Sequence, residues 1–144
     1  MHNPTKLPVY RFDRADAALT LLPMAARRAL DCAGLHLSLA GWQALPLEQR
    51  EELVRLGGRE RVDHARVAEL LAAHAADVRA IPQLIEADLA AGPNAALLQA
   101  LPEGRDLSSE RWRGLSALDR YVLVQLARRG KVERLAEAYR EICA

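Results

Sequence analysis

Four histidines, His2, His36, His64 and His74, and two cysteines, Cys32 and Cys143, are the groups that could bind a metal or attack a substrate. A zinc-protease helix needs two histidines four residues apart flanking a glutamate, and a structural zinc site needs Cys or His pairs at short spacing. Neither pattern occurs. His74 and Asp77 stand one helical turn apart, which suffices for two ligands on a surface but not for a cage. A histidine on an apolar helix face is more often a hydrogen-bonded core residue, and that is the expectation for His74. Neither cysteine belongs to a C-x-x-C pair, and two are too few for a disulfide framework, so both read as small packed hydrophobes with reduced thiols. No nucleophile elbow, glycine-rich phosphate loop or dinucleotide fingerprint is present. Carboxylates interleave with arginines, as in Glu60-Arg61 and Glu133-Arg134, the pattern of a salt-bridged surface rather than of an acid/base dyad. The residues name no reaction. The expectation is a protein that is not an enzyme, with no catalytic, cofactor-binding or metal-binding residues.

The elements that would position any such group are helical. At 144 residues the chain can bury about two-thirds of the surface its unfolded form exposes, and it is rich in alanine, leucine and arginine with only 4% aromatic residues. Those residues have the best helix propensities, and β-branched residues never alternate over a strand-length window. The fold class expected is all-α: a compact single-domain multi-helix bundle over residues 1–144. Twenty basic and 19 acidic residues give a net charge of +1, against the strong basic excess of a nucleic-acid binder. From Arg105 onward nine Lys/Arg face six Asp/Glu, a mild bias suited to a solvated helix face. No run approaches the roughly 18 apolar residues of a membrane span, and residues 1–9 have no apolar stretch of signal type. A cytoplasmic location, with no membrane and no nucleic acid as partner, is the expectation.

Along the chain, residues 1–20 form an N-terminal arm with Pro4 and Pro8, and with Tyr10 and Phe12 docking on the helical body. Leu22, Ala25, Ala26, Ala29, Leu30 and Ala33 then fall on one helical face, with Arg27, Arg28 and Asp31 opposite, between a first-turn Pro23 and a terminating Gly34. Ser38 caps a short turn and Pro46 opens a helix whose face is Leu47, Arg50, Leu53, Val54 and Gly57, ended by Gly57-Gly58. A longer helix is expected over 61–80, with Val67, Leu70, Leu71, His74 and Val78 as its stripe. Pro82 starts or kinks a segment carrying Leu84, Ile85 and Leu89. The C-terminal part reads as a Ser108-capped turn, an apolar helix over 117–129, and a last helix bearing Val132, Leu135, Ala136, Tyr139 and Ile142.

One internal pattern stands out. Leu37-Ser38, Trp42 and Leu45 superpose on Leu107-Ser108, Trp112 and Leu115, and Arg50, Leu53, Val54 and Leu56 on Arg120, Leu123, Val124 and Leu126, always 70 positions apart. The expectation is a duplicated helix pair over 37–57 and 107–130. In each copy a serine would cap the short helix and the tryptophan would wedge the two helices apart. Arg50 and Arg120 could bind an acidic partner or phosphate, though capping a helix end or pairing with a carboxylate is the plainer use. Packing is favoured over a groove-binding helix because Tyr121-Val122-Leu123-Val124 is an unbroken apolar run.

The stretch from Leu22-Pro23-Met24 through Arg27-Arg28-Ala29-Leu30-Asp31 and Gly34-Leu35-His36-Leu37-Ser38, then Trp42 and Pro46-Leu47-Glu48-Gln49-Arg50, resembles the nitrate reductase-associated family. There a Pro-Met-x-x-Arg helix leads through Leu-Asp-x-x-Gly into a Leu-Ser-x-x-x-Trp turn. Trp112 to Leu115 and Asp119 to Leu126 resemble its C-terminal motif, so the likeness covers about residues 10–58 and 107–142. Where members often carry Arg-Pro-Gly-His, this chain has Arg128-Arg129-Gly130-Lys131. The resemblance implies a small cytosolic accessory protein needed for a molybdenum- and iron–sulfur-containing assimilatory nitrate reductase to become active. The implied partner is that reductase or its cofactor-assembly machinery. A different class of function, a small-ligand or metal-sensing module, would draw on Cys32, His36 and His74, and a structural homodimer would draw on the apolar C-terminal helices.

Overall fold

The computed structural model describes residues 6–86, 92–102 and 104–143; His2, Pro4 and Leu89 lie outside them. The protein is mostly helical, with eight α-helices among the described residues and one short two-stranded sheet. It divides into two compact units, residues 1–84 and 85–144.

The first unit is built on α1 (Met24–Ala33), α2 (Leu39–Ala44), α3 (Leu47–Gly58) and α4 (His64–His74). Ala25, Ala26, Ala29 and Leu30 of α1 are buried, as their spacing requires. They pack against Leu53, Val54, Leu56 and Gly57 of α3. Small residues let the two backbones approach closely: a side-chain carbon on Gly57 would lie 1.6 Å from the Ala25 carbonyl oxygen. Helix α3 ends on the pair Gly57-Gly58, as expected, with Arg59 as its C-cap. Gly34, at φ 70°, closes α1 in the left-handed region that favours glycine. The arm contains a helical turn. A 3₁₀ turn at Arg11–Asp13 buries Phe12, and the Tyr10 and Phe12 rings stack at 4.9 Å.

Three expectations for this unit are corrected. The helix expected over 61–80 stops at His74, because Val78–Ala80 (β2) pairs antiparallel with Leu35–Leu37 (β1) in the register Leu35↔Ala80, His36↔Arg79, Leu37↔Val78. Backbone bonding to β1 overrides the helix propensity of the alanines, as tertiary context commonly does. Of the expected stripe, Val67, Leu70 and Leu71 are buried and His74 is exposed. Arg28, assigned to the solvent side of its helix, is fully buried.

The second unit contains α5 (Ala95–Ala100), α6 (Ser109–Gly114), α7 (Ala117–Arg128) and α8 (Val132–Cys143). Asn94 caps α5 by accepting from the Leu97 amide at 2.8 Å. Leu97, Trp112, Leu118, Tyr121, Val122, Leu123, Leu126, Leu135 and Ala138 form its core. Tyr139 donates its hydroxyl to the Asp106 carbonyl at 2.6 Å, and Arg105 lies over its ring.

Candidate functional site

The residues singled out by sequence fall mainly in two helical hairpins, one in each unit. In α2–α3, Ser38 accepts from the Gly41 amide at 3.0 Å, so the short helix begins with an orphan donor satisfied. In α6–α7, Ser108 accepts from the Arg111 amide at 3.1 Å. Each short helix ends with a matching bond, Leu45 N–H to the Trp42 carbonyl and Leu115 N–H to the Trp112 carbonyl, both at 3.1 Å. Both tryptophans are completely buried. The boundaries of α6 and α7 lie 70 positions beyond those of α2 and α3 at all four ends (39 to 109, 44 to 114, 47 to 117, 58 to 128).

Trp42 also reaches the arm. Its indole N–H donates to the Leu19 carbonyl at 2.7 Å, fastening the arm to the hairpin. Arg50 works on the same junction. Its Nε donates to the Leu45 carbonyl at 3.1 Å and its Nη1 to the carbonyls of Ala18 (2.6 Å) and Leu19 (3.4 Å). Arg120 places Nε on the Trp112 carbonyl (3.1 Å) and Nη2 on the Arg113 carbonyl (3.0 Å). Of the uses considered for these arginines, closing the end of a short helix is the one seen. Arg50 caps the Leu45 carbonyl and Arg120 the Arg113 carbonyl, each at the end of its short helix, while Arg120 Nε shares the Trp112 carbonyl with the Leu115 N–H.

Sequence reasoning missed three polar residues. Arg28 sends its guanidinium into the protein, where Nη1 donates to the carbonyls of Gly57 (2.8 Å) and Arg59 and Nη2 to that of Glu60 (3.0 Å). It thereby closes the C-terminal end of α3. The signal was present: Arg28 lies three positions after Ala25 and four before Cys32, within the buried stripe. Asp13 accepts from the amides of Tyr10 (3.0 Å) and Met24 (3.1 Å), so a carboxylate from the arm caps α1 where Pro23 offers no side chain to do so. Nothing in local spacing announces a cap from eleven residues away. Gln83 bridges the Cys32 carbonyl (2.7 Å) and His64 Nδ1 (2.9 Å), fastening the segment after β2 to the end of α1.

The groups considered for metal or ligand chemistry are distributed differently. Cys32 is buried, whereas His36 on β1 and His74 at the end of α4 are exposed, as is Asp77. Among the described residues no group of three His, Cys, Asp or Glu is placed to hold a metal ion. Cys143 is half-buried, and that burial pushes its thiol above the usual range, with Arg111 acting in the opposite sense. The Arg111 guanidinium also donates to the Cys143 carbonyl, tying α8 to α6. Among the described residues every buried side-chain nitrogen and oxygen has a hydrogen-bond partner. No helix is long and apolar enough to cross a membrane, among the described residues.

These polar groups hold helix ends and chain segments together. Comparison with curated proteins and with solved structures finds no match. The profile of the family described as conserved nitrate reductase-associated protein matches residues 10–142, nearly the whole chain and both hairpins, and the chain therefore belongs to that family.

Proposed function

We propose that this protein is a non-catalytic accessory factor that assists maturation or assembly of an assimilatory nitrate reductase in the cytoplasm through protein–protein contacts. The observation that carries the reading is the family match across residues 10–142. It runs through both units, which supports treating residues 1–144 as one functional domain. The internal use of Arg28, Arg50 and Arg120, each on main-chain carbonyls, supports a scaffold role for the hairpins. The partner is the reductase itself or its cofactor-assembly machinery, held through the outside of that scaffold. We also read the two hairpins as a duplicated unit, supported by the constant offset of 70 between their helix boundaries and by their matching serine caps.

Deletion of the gene tests the function. Growth with nitrate as the sole nitrogen source is lost, growth on ammonium is retained, and the reductase polypeptide accumulates without activity. Normal growth on both sources overturns the reading.

A further inference from the structure

Four cations gather at the turn between α7 and α8. Arg128 ends α7, Arg129 follows it, Lys131 immediately precedes α8 and Arg134 lies in its first turn. All four are exposed, and among the described residues none of their side chains has a hydrogen bond or ion pair. Arg105, Arg111 and Arg120 of the same unit each have an internal partner; Arg113 and Arg140 are exposed like the four but lie elsewhere in the sequence.

The turn is complete without the four. Gly130, at φ 68°, lets its own N–H reach the Ala127 carbonyl (3.1 Å) and the Lys131 N–H reach the Leu126 carbonyl (3.0 Å). This pair of bonds closes a helix end with backbone alone, so no arginine is needed as a cap. Arg128 and Arg129 sit favourably at the negative end of α7. Lys131 and Arg134 sit at the positive end of α8, where a cation is electrostatically disfavoured. Glu133 offsets one charge, leaving +3 over residues 128–134 (four cations less one carboxylate). In the middle stands Val132, an apolar side chain 59% exposed. Two of the four cations work against the helix they begin, and the single carboxylate among them leaves the turn strongly positive, which marks a surface kept for another purpose.

We propose that this turn docks an acidic segment of a protein partner, with an apolar side chain of that segment against Val132 and its carboxylates among Arg128, Arg129, Lys131 and Arg134. The assignment rests on the accessory-factor reading above. An apolar residue and a glutamate within the patch suit a peptide better than a phosphate backbone, and the chain's net charge of +1 lacks the strong basic excess of nucleic-acid binders.

The test uses the full-length protein and a fluorescein-labelled peptide of glutamates flanking a single leucine, followed by anisotropy. The peptide binds, less tightly as salt rises. Arg129→Glu/Lys131→Glu weakens binding by at least about tenfold, because complementary charge becomes repulsion. Arg61→Glu, an exposed cation of the other unit, leaves it unchanged. Should the reversal variant not fold, Arg129→Gln/Lys131→Gln removes both charges while keeping polar, unbranched side chains, and still loses most of the binding. Absence of peptide binding, equal binding by the folded variants, or tighter binding of a single-stranded oligonucleotide of the same charge overturns the proposal. In a deletion strain the charge-reversed protein, melting as the wild type does, fails to restore growth on nitrate. Full restoration overturns the docking surface alone, whereas a deletion strain that grows normally on nitrate overturns the accessory-factor reading and leaves the peptide assay to decide the surface.

Discussion

The Arg28 guanidinium donates to the Gly57 carbonyl oxygen across 2.8 Å, at the point where α3 lies against the backbone of α1. The same glycine thus meets α1 twice, through its missing side chain and through its carbonyl. Gly57→Ala would drive a carbon to 1.6 Å from the Ala25 carbonyl oxygen, an overlap with main chain that no rotamer change relieves. It should cost about 3 kcal/mol, the upper part of the overpacking range. Arg28→Met removes the donor from three carbonyls at once and should cost at least about 3 kcal/mol through unsatisfied buried acceptors. Urea unfolding checks both; a midpoint within error of the wild type for either variant contradicts this account of the α1–α3 junction.

The Trp42 indole N–H on the Leu19 carbonyl makes the arm part of the folded unit. Trp42→Phe keeps most of the apolar volume but deletes that donor and part of the ring. We expect a loss of about 2 kcal/mol, combining the missing hydrogen bond and the cavity. Proteolysis should also turn to the arm, with cleavage appearing first near residues 14–20. Cleavage unchanged in rate and position would mean that the indole is not what holds the arm.

How much of this could be read from sequence depends on the range of the interaction. The Ser38 and Ser108 caps, the apolar stripes of α1 and α7 and the positions of both tryptophans follow from local spacing, and the structure has them. What escaped depends on partners far along the chain. Arg28 looks like a surface residue until the carbonyls at the end of α3, about thirty positions on, come into view. Asp13 reads as arm until it is found capping α1. The β1–β2 pairing cut short the end of an expected helix because strand bonding is non-local. The residues of the proposed docking turn were visible as charges, but their lack of internal partners was not.

Asp16 gives a pH dependence with a definite sign. Its carboxylate accepts from the Thr20 hydroxyl (2.6 Å) and amide (2.8 Å), and these bonds hold it below its ordinary value of 3.8. A depressed folded-state value means the group adds stability above the unfolded pKa and loses it as pH falls through the folded one. The group is exposed, so the effect is small and the comparison must be made between proteins. Asp16→Ala should melt lower than the wild type at neutral pH, with the gap starting to close near pH 3.8 and gone well below it. A gap independent of pH would show that the carboxylate's charge plays no part.

The paired serines allow the likeness of the two hairpins to be measured as energy. Ser38→Ala and Ser108→Ala each remove a side-chain acceptor from an amide at the start of a six-residue helix, at 3.0 and 3.1 Å. Both caps are solvent-facing, so burial does not distinguish them, and each substitution should cost about 1 kcal/mol. The sites lie in different hairpins and share no hydrogen-bond partner, so the double variant should lose about 2 kcal/mol, the sum of the two. Ser116, which caps α7 by accepting from the Asp119 amide at 3.0 Å, occupies the position held by Pro46 in the first hairpin. Ser116→Pro then asks whether the hairpins are interchangeable at that position. Proline lacks the acceptor, yet it fixes an extended backbone close to the φ of −69° already present. The loss should be no more than about 1 kcal/mol if entropy gained in the unfolded state offsets the missing cap. A loss several times larger, measured by urea unfolding, would mean that the two turns share a spacing without sharing their mechanics.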